Sequence, residues 1–562
     1  MITTNITHIA HLAELCFQHG IKNIVLSPGS RNAPLIIAFD EHPGIKTWLI
    51  HDERCAAFFA LGLADALYEP VAIACTSGSA PLNYSPAISE AYYRRSPLLI
   101  LTADRPLALI DQGDGQTIRQ KNVFQNFVKS SFELPDFTLE TKTENSDKRV
   151  NDALVLLNEI PSAPVHINIP LSEPLYGVSE LTTKPEFKLS QKKNFSLTSA
   201  EKETVKNGWS NSKKKLILIG QLSPDPKLEI ALSTILTQPD VAVLVENTSN
   251  LQQFQKIVHC IDRTLAVIKE DELEQFAPDL LITIGGAIIS KKIKACFRTK
   301  KPSINWRVGN YLFADDTYQS LTHSFEVSAA DFFEFIASVP AIAETNFGDK
   351  WKQRDFIAQE KHREFLEKTS WCDLKAFEII LDSVPANSVL HMGNSSVVRY
   401  CQLFNPEKSI RYYSNRGVSG IDGSTSTAAG FSAVVQDKMN LLITGDVSFL
   451  YDSNALWNNY LKSNFRIIVI NNGGGGIFQI LVGSNSVKQK DYFFSPYKAD
   501  LAHLCKTFDV QYLSADNELA LEKEIKTLLT VESNGPVLLE VKTFSQSNAE
   551  VLKAYFNALR AQ

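Results

Sequence analysis

TGDVSFLYDSNALWNNYLKSNFRIIVINNGGGGIF, residues 444–478, is the stretch of sequence that decides the fold class. A buried strand ends at Gly445-Asp446, a helix-length segment follows, and a second buried strand ends at Asn471-Asn472 before four glycines. The crossover of a βαβ unit brings the C-terminal ends of both strands to one edge of a parallel sheet. That edge is where open α/β sheets bind their ligands. The stretch therefore predicts an α/β fold with a ligand site formed by the residues that follow these strands.

Three oxygen donors follow the two predicted strands. Asp446 offers a carboxylate, Asn472 an amide oxygen, and Gly474 a backbone carbonyl in a loop without side chains. Oxygen ligands that leave positions open suit Mg²⁺ bridging a diphosphate, and backbone N–H groups of the glycine loop can cradle the phosphates. Taken alone, Gly445-Asp446 would also fit a plain turn after a strand, and the four glycines after Asn472 would also fit a flexible loop. The pattern is neither a Walker loop nor a dinucleotide fingerprint, because it lacks Gly-Lys-Ser/Thr and GxGxxG.

Apolar runs of strand length recur along the whole chain between helical stretches. Because these runs are continuous rather than alternating, they indicate strands buried on both faces of parallel sheets that helices cover. The runs are NIVLS, KTWLI, VAIACTS, PLLILTA and PVHINIP in the first third, KLILIG, VAVLVEN, LLITIGG and PSINWRV in the middle, and SVLHMGN, NLLITGD, FRIIVINN and PVLLEVKT in the last.

Two polar stretches interrupt this pattern, and we interpret residues 182–200 and 337–353 as linkers. They divide the chain into three predicted α/β domains, each a mostly parallel sheet covered by helices. The predicted boundaries are 1–185 for the first domain, 200–340 for the central domain and 354–562 for the third. A chain of 562 residues is long enough for three domains of this size.

Composition limits the classes of partner. The formal net charge is −6, with 44% hydrophobic and 21% charged residues, which gives no support for a nucleic-acid or membrane-surface partner. No apolar stretch approaches the ~20 residues that span a bilayer, and the N-terminus carries no signal-peptide pattern. The eight cysteines contain no CxxC pair and are expected to be buried, reduced side chains. Together these features predict a cytoplasmic protein without an integral membrane segment.

The stretch at 444–478 resembles the thiamine diphosphate motif, which begins Gly-Asp-Gly and ends Asn-Asn. Val447 replaces the second glycine of that motif. The resemblance implies thiamine diphosphate as cofactor, with Mg²⁺ or alternatively Mn²⁺, and the thiamine diphosphate-binding fold for the first and third domains. It implies cofactor contacts from Gly445, Asp446, Val447, Ser448, Asn472, Gly474, Gly475 and Ile477, of which Asp446, Asn472 and Gly474 would hold the metal.

A carboxylate with a catalytic role is expected in the first domain. In HDERCAAFFALGLADAL, Glu53 follows a buried strand and precedes apolar residues spaced to form one face of a helix. A first-turn glutamate favoured by the helix dipole explains this position equally well. Thiamine enzymes, however, place their activating glutamate in this context, against the aminopyrimidine ring, where it promotes the tautomer that removes the C2 proton. The resemblance therefore implies Glu53 as the catalytic acid.

Six further segments carry a narrower resemblance. They are SPGSRNAPL, HDERCAAFFALGLA, TSGSAPLNYSPAISEAYYRRSPLLILTADRP, GQTIRQ, GNSSVVR and SNRGVSGIDGSTSTAAG, with only GGAIISKK in the middle domain. They resemble the 2-succinyl-5-enolpyruvyl-6-hydroxy-3-cyclohexene-1-carboxylate synthase family of menaquinone biosynthesis. That family decarboxylates 2-oxoglutarate and adds the succinyl carbanion equivalent to isochorismate in a 1,4-addition. The resemblance implies this transferase activity. It also implies a homodimer or a dimer of dimers, because in the superfamily the glutamate and the metal site come from different subunits.

Both of these substrates are dicarboxylates, so their site must counter up to four carboxylate charges. Arginine suits this task because its planar guanidinium meets a carboxylate with two hydrogen bonds. Matched family positions imply substrate contacts from Ser30, Arg31, Arg105, Gln116, Lys292, Ser395, Arg399 and Arg416, and cofactor contacts from Ser419 and Ile421. Lys291 would add charge beside Lys292, and Phe478, which follows the glycine loop, would wall the substrate pocket, although core packing explains an apolar residue there as well. Gly115 departs from the family, whose members often have asparagine there. Each cation alone would also fit a salt bridge, and the prominent pair Arg94-Arg95 is assigned no role.

Two other functions fit parts of the pattern. One is a 2-oxo acid decarboxylase or an acetohydroxyacid-type synthase. The set of arginines argues against it, because monocarboxylate substrates need fewer cations. The other is a non-catalytic or nucleotide-binding α/β protein that keeps the glycine loop. The combination of Glu53 with Asp446 and Asn472 argues against that alternative.

Overall fold

The structure is a computed structural model that describes residues 2–136, 144–188, 195–310, 315–340, 345–480, 487–543 and 545–561. The chain divides into two compact units. The first unit consists of residues 1–193, 415–437 and 448–465, and the second of residues 194–414, 438–447 and 466–562. The third predicted domain therefore contributes two of its segments to the first unit.

Strands are numbered β1 to β19 along the described residues. In order, they span Ile2–Thr4, Asn23–Leu26, Lys46–Leu49, Val71–Cys75, Leu98–Asp104, Ser131–Glu133, Val165–Pro170, Val178–Glu180, Lys215–Ile219, Val241–Val245, Leu280–Ile284, Ile304–Val308, His323–Phe325, Val389–Met392, Arg411–Tyr413, Asn440–Gly445, Phe465–Asn471, Gln511–Ala515 and Val537–Lys542.

Helices are numbered α1 to α22 in the same way. In order, they span Thr7–Gln18, Ala33–Asp40, Glu53–Leu67, Ala80–Asn83, Ser85–Arg94, Glu144–Asn158, Ser199–Asn211, Pro226–Ile235, Ile261–Ala266, Leu273–Phe276, Lys291–Thr299, Ala329–Ser338, Phe347–Leu366, Asp373–Ser383, Ser396–Cys401, Ser424–Val434, Asp446–Tyr451, Ile477–Ile480, Lys490–Phe494, Leu501–Thr507, Glu518–Thr530 and Ser545–Arg560. Short 3₁₀ turns lie at Leu107–Leu109, Gln125–Phe127, Asn247–Ser249, Glu270–Glu272 and Ser453–Leu456.

The first unit is built on a six-stranded sheet with the order β3-β2-β4-β5-β7-β6, in which every pairing is parallel. β1 and β8 form a separate antiparallel pair. Residues of α1, α2 and α6 share one core with these strands, and α3 packs on β2, β4 and β5. All seven residues of β5 are buried, as expected for a parallel strand covered on both faces.

Within the first unit, α3 packs along α16. The two helix backbones approach closely at Gly62 and Gly430. A Cβ atom at Gly62 would lie 2.0 Å from the carbonyl oxygen of Thr427, and one at Gly430 would lie 2.0 Å from that of Phe59. A side chain at either glycine would push the helices apart, so this contact depends on glycine at both positions.

The second unit contains two sheets, with the orders β10-β9-β11-β12-β13 and β15-β14-β16-β17-β19-β18. The pairings described within both sheets are parallel. β16 and β17 are neighbours in the six-stranded sheet, and they are the two strands of the stretch at 444–478. Their C-terminal ends therefore lie side by side, as the crossover argument predicts.

The prediction of mostly parallel sheets covered by helices is confirmed, and each of the predicted apolar runs contains a strand. The sequence pattern does not predict β1, β6, β8, β13, β15 and β18. Five of these strands have only three residues, and the sixth, β18, is exposed at Gln511 and Ser514. Short or edge strands carry no continuous apolar run, so a search for buried strands overlooks them.

The predicted linker at 337–353 is wrong in its C-terminal part. α13 begins at Phe347 and continues for 20 residues to Leu366. It buries Phe347 and Trp351, which lie on one helix face because they are four positions apart. In the linker predicted at 182–200, α7 begins at Ser199. Residues 189–194 and 341–344 lie outside the described residues. The predicted domain boundaries stay a prediction.

All eight cysteines are free thiols, and seven of them are buried. Burial raises the pKa of thiols such as Cys16 and Cys75, so these side chains pack as small apolar groups, as predicted. Among the helices of the described residues, none combines the length and the hydropathy needed to span a bilayer.

Candidate active site

Glu53 is the first residue of α3 and follows β3, which ends at Leu49. Asp52 caps the helix by accepting a hydrogen bond from the N–H of Cys55 at 3.2 Å, and Asn454 donates to its other oxygen at 2.8 Å. Burial raises the pKa of the Glu53 carboxyl, and the nearby carboxylate of Asp52 raises it further. The predicted catalytic acid therefore lies at a fixed helix start and has a raised proton affinity, which suits acid–base work.

Arg31 precedes α2 and is buried. One of its nitrogens donates to the carbonyl oxygen of Leu171 at 2.8 Å, and another donates to the exposed carboxylate of Glu173 at 3.3 Å. Burial lowers the pKa of Arg31, and the nearby charge of Arg105 lowers it further. The Nε atoms of both arginines are buried without a hydrogen-bond partner among the described residues. Two neighbouring guanidinium groups with unused donors are suited to an anionic ligand.

The remaining predicted substrate contacts of the first domain are Ser30 and Gln116, which are both exposed. Gln116 has a positive φ of 56°, and its carbonyl oxygen accepts a hydrogen bond from Ser77 Oγ at 3.0 Å. Gln120, four residues later, is buried and uses its amide within the unit. Gln116 is therefore the glutamine of this segment that a ligand can reach.

Glu90, which sequence reasoning missed, holds the loop that carries several predicted site residues. Its buried carboxylate accepts hydrogen bonds from three successive backbone N–H groups, beginning with that of Gly417 at 2.7 Å. In this loop Arg416 is buried and Ser419 has a positive φ of 64°. In the sequence of α5, Glu90 resembles any other helical glutamate, so no local signal points to this role.

Three neighbouring interactions fix the same part of the first unit. Ser448 Oγ donates to the carbonyl oxygen of Ile421 at 2.7 Å, which links two predicted cofactor contacts. Arg94 forms an ion pair with Asp65 and donates to Asn415 Oδ1 at 3.0 Å. Arg94 therefore has a structural role, which agrees with the absence of a predicted catalytic one.

Asp446 follows β16 and lies at the predicted diphosphate site in the second unit. Its Oδ2 atom accepts hydrogen bonds from the N–H groups of Gly473 at 3.0 Å and Gly474 at 2.9 Å, and from the hydroxyl of Tyr497 at 3.1 Å. Its Oδ1 atom accepts one from the N–H of Val447 at 2.7 Å. Burial raises the pKa of the Asp446 carboxyl to about 6. The carboxylate therefore joins the two halves of the predicted motif, after β16 and after β17.

Asn472 is the second predicted metal ligand and directly precedes Gly473. Its Nδ2 atom donates to the buried carboxylate of Asp373 at 3.1 Å. Its Oδ1 atom is buried, and no described residue offers it a hydrogen bond. An unused buried acceptor is unfavourable by itself, and it fits a position that a cation completes. The amide oxygen and the nearby Asp446 carboxylate are hard donors of the kind that Mg²⁺ or Mn²⁺ binds.

Gly474 is the third predicted metal ligand and requires glycine for two reasons. Its φ is 152°, and a Cβ atom there would lie 2.3 Å from the carbonyl oxygen of Phe494. That oxygen accepts a hydrogen bond from the N–H of Gly475 at 2.6 Å. Phe494 and Tyr497, which sequence reasoning missed, thus hold the glycine loop from a segment that carries no recognisable motif.

Lys292 and Arg399, two predicted substrate contacts of the second unit, share one acidic neighbour. Burial lowers the pKa of Lys292 to about 8 and lowers that of Arg399, and in both cases the charge of Asp262 opposes the shift. Lys292 Nζ lies 3.2 Å from the centroid of the Phe556 ring and has no hydrogen-bond partner within the described part of the chain. The buried ammonium group therefore keeps hydrogen-bond donors that no described residue uses.

The other predicted residues of this unit differ in exposure. Lys291 is exposed, unlike the partly buried Lys292. Ser395 has a positive φ of 70°, and its carbonyl oxygen accepts a hydrogen bond from Arg399. Ile477 begins α18, and Phe478 is 37% exposed with its ring centroid 5.9 Å from that of Phe493. Phe478 therefore offers an apolar face to solvent beside the glycine loop.

Comparison with known protein families shows the class of enzyme to which the chain belongs. Residues 6–129 match the N-terminal TPP binding domain of thiamine pyrophosphate enzymes, and residues 392–541 match their C-terminal TPP binding domain. The chain is therefore a thiamine diphosphate-dependent enzyme, and the two matched regions contain Glu53 and Asp446, respectively.

Full-length relatives narrow the class to one family. The chain is 42% identical to the 2-succinyl-5-enolpyruvyl-6-hydroxy-3-cyclohexene-1-carboxylate synthase of Flavobacterium johnsoniae, over 100% of both chains. It is also 42% identical to the synthase of that name from Flavobacterium psychrophilum, again over 100% of both chains. With that of Porphyromonas gingivalis, identity is 38% over 99% of this chain and 97% of the relative. The chain belongs to the 2-succinyl-5-enolpyruvyl-6-hydroxy-3-cyclohexene-1-carboxylate synthase family, whose members are transferases that form a carbon–carbon bond.

Proposed function

We propose that the protein decarboxylates 2-oxoglutarate and adds the remaining succinyl unit to isochorismate, giving 2-succinyl-5-enolpyruvyl-6-hydroxy-3-cyclohexene-1-carboxylate. The observation that carries this proposal is the pair Arg31 and Arg105, which have neighbouring charges and unused buried donors. A second pair of basic groups, Lys292 and Arg399, supports it in the other unit. Two dicarboxylate substrates need this number of cations, whereas a monocarboxylate substrate does not.

Thiamine diphosphate, when bound, supplies the electron-accepting ring on which CO₂ is lost. Asp446, Asn472 and the carbonyl of Gly474 would hold Mg²⁺ or Mn²⁺ against the diphosphate, and the unused Oδ1 of Asn472 supports this assignment. Glu53 would exchange a proton with the aminopyrimidine ring, which its raised pKa favours. The apolar side chains of Ile477 and Phe478 would exclude water from one side of the substrate.

The direct test of this function is an assay that supplies 2-oxoglutarate and isochorismate together, with the product identified by its mass. We expect a product that contains both carbon skeletons, less one CO₂. A 2-oxo acid decarboxylase or an acetohydroxyacid-type synthase would instead consume its substrate without isochorismate. Turnover of 2-oxoglutarate that leaves isochorismate untouched would contradict the proposal.

We expect Arg31 and Arg399 to serve different substrates. Arg399 lies in the unit that contains Asp446, and we assign it to the distal carboxylate of 2-oxoglutarate, which must react first. Arg31 lies in the unit that contains Glu53, and we assign it to isochorismate. A lost charge-assisted hydrogen bond costs roughly 1.5–3 kcal/mol, or about 10- to 150-fold in kcat/KM. Arg399→Ala should therefore slow CO₂ release with an artificial electron acceptor, whereas Arg31→Ala should impair only the addition to isochorismate.

Two variants test this division further. Arg31→Lys should recover little activity, because it keeps the charge but loses the planar pair of donors. Arg119→Ala is the matched control, since the Arg119 side chain is 82% exposed and forms an ion pair with the exposed Asp111. It should leave both half-reactions unchanged. Equal loss of CO₂ release in Arg31→Ala and Arg399→Ala would show that the arginines are not divided between the substrates.

The resemblance also leads us to propose a homodimer, or a dimer of dimers, in which Glu53 of one chain and Asp446 of another act on one cofactor. Mixing inactive Glu53→Gln and Asp446→Ala chains should then restore activity. Random reassociation would make half of the dimers mixed, each with one intact site, so the recovered activity should reach about a quarter of wild type. No recovery after subunit exchange, verified by size and mass, would place both residues of a site in one chain.

A further inference from the structure

The predicted metal ligand Asn472 is held by a hydrogen-bonded cluster that the catalytic motif does not include. Asp373, the first residue of α14, is 2% exposed and accepts a hydrogen bond from Asn472 Nδ2 at 3.1 Å. Its other oxygen accepts one from the hydroxyl of Thr543 at 2.6 Å, just after β19. Asn548 on α22 contacts both Asp373 and Thr543. It accepts a hydrogen bond from the backbone N–H of Asp373 at 2.7 Å and donates one to Thr543 Oγ1 at 3.1 Å. Residues of α14 and α22 and residues that directly follow β17 and β19 therefore meet around the buried Asp373.

The directions of the hydrogen bonds in this cluster follow from two groups of Asp373 whose roles are fixed, its backbone N–H and its carboxylate. The N–H of Asp373 can only donate, so Asn548 must offer it Oδ1 and must turn Nδ2 toward Thr543. Thr543 Oγ1 accepts that bond, so its hydroxyl proton points to Asp373. A carboxylate only accepts, and Asn472 must therefore present Nδ2 to it. The Oδ1 atom of Asn472 is left facing away from the cluster, and it is the buried oxygen that lacks a partner in the described chain.

We propose that Asp373 is a positioning residue that, with Thr543 and Asn548, fixes the amide of Asn472 so that oxygen rather than nitrogen faces the divalent metal. An amide nitrogen has no lone pair to give to a cation, so a flipped Asn472 would remove one metal ligand without moving the chain. This inference rests on the proposed metal site, and it adds residues from α14, β19 and α22 to it. Groups that orient a ligand typically affect metal affinity about 10- to 100-fold when they are changed.

An isosteric substitution gives the sharpest test. In Asp373→Asn the proton of Thr543 still needs an oxygen, so the new amide must turn its NH₂ group toward Asn472. Asn472 would then have to accept with Oδ1 and would expose Nδ2 to the metal. We expect Asp373→Asn to need about 10- to 100-fold more Mg²⁺ for half-maximal retention of thiamine diphosphate on the full chain. Retained cofactor can be measured by fluorescence after gel filtration at set Mg²⁺ concentrations.

A second substitution separates orientation from a general structural role. Thr543→Val alone keeps the Asp373 carboxylate as an acceptor, so its Mg²⁺ requirement should stay near wild type. In the double variant Asp373→Asn/Thr543→Val, nothing obliges the amide at 373 to turn its oxygen toward position 543. It can offer that oxygen to Asn472, and Mg²⁺ affinity should recover in part. Asp382→Asn, at the exposed other end of α14, is the matched control and should behave as wild type.

The outcomes are distinct. A loss in Asp373→Asn that the added Thr543→Val change reverses supports orientation, since a merely weakened fold would not recover when a second bond is removed. Wild-type Mg²⁺ dependence in Asp373→Asn, or a double variant no better than the single one, overturns the proposal. Asp446→Ala tests separately whether the metal site is assigned correctly. If that variant keeps wild-type Mg²⁺ dependence, the site is misassigned and the positioning role falls with it.

Discussion

Glu53→Gln should leave thiamine diphosphate bound but slow exchange of the cofactor's C2 proton about 10²- to 10⁴-fold, the usual contribution of a positioned acid–base group. Glutamine keeps the size and the hydrogen-bonding reach of glutamate but cannot take up or release the proton. Exchange is measured by mixing the holoenzyme with deuterated water, quenching in acid and recording the C2 signal by NMR. Cofactor binding is measured separately, so that loss of binding is not mistaken for loss of proton transfer.

The neighbour of Glu53 provides the control for this experiment. Asp52→Asn keeps a side-chain acceptor for the N–H of Cys55 and therefore keeps the cap of α3. It removes the charge-based contribution to the raised pKa of Glu53, which is smaller than that of burial, and Asn454 keeps its contact with position 52 by turning its amide oxygen toward the new NH₂ group. Exchange in Asp52→Asn should stay close to wild type. If Glu53→Gln also exchanges at the wild-type rate, Glu53 is not the activating acid.

The main strands and the two halves of the cofactor motif were predictable because each is marked by local sequence. A parallel strand covered on both faces needs a continuous apolar run, as in β5 and β17. Asp446 and Asn472 follow two such runs, and sheet topology brings them to one edge. The position of Glu53 at the start of a helix was predictable from the apolar face of α3, but the strand before it is not buried as expected, because β3 is an edge strand exposed at Lys46 and Leu49.

Other features escaped prediction because they depend on contacts distant in sequence. Glu90 reads as an ordinary helical glutamate, and only the fold shows that it binds the backbone at Gly417. Asp373 and Thr543 are 170 positions apart and meet through tertiary structure alone. Likewise, the start of α13 at Phe347 is hidden in polar sequence, because its helix is stabilised by burial of a few apolar residues rather than by a strong local pattern.

The predicted substrate contacts were only partly predictable from sequence. The basic residues Arg31, Arg105, Lys292 and Arg399 were assigned from the resemblance and from the charge of the substrates. The structure adds a physical distinction that sequence could not make, since it buries Lys292 against Phe556 and exposes Lys291. A partly desolvated ammonium group with an unused donor interacts more strongly with an anion than a solvated one does. Lys292 is therefore the better candidate of the two for a substrate contact.

Asp446→Ala should abolish the Mg²⁺-dependent retention of thiamine diphosphate. The substitution removes a predicted metal ligand, and it also leaves the N–H groups of Gly473 and Gly474 and the hydroxyl of Tyr497 without their shared acceptor. In wild type, cofactor with Mg²⁺ at a hundredfold excess over Kd should stabilise the folded protein by about 2.7 kcal/mol. In Asp446→Ala this stabilisation should vanish, as measured by thermal unfolding with and without the cofactor pair.

Tyr497→Phe separates the two consequences of losing Asp446. It removes one donor to the same oxygen but keeps the carboxylate and the two glycine N–H contacts, so most of the stabilisation by cofactor and Mg²⁺ should persist. If Tyr497→Phe abolishes that stabilisation as completely as Asp446→Ala does, the defect arises from the segment that holds the glycine loop rather than from a missing ligand. Unchanged cofactor affinity in Asp446→Ala would exclude Asp446 as a ligand altogether. Loss in Asp446→Ala together with retention in Tyr497→Phe is the pattern that a metal-bridged diphosphate requires, because of these two side chains only Asp446 is a proposed ligand of the cation.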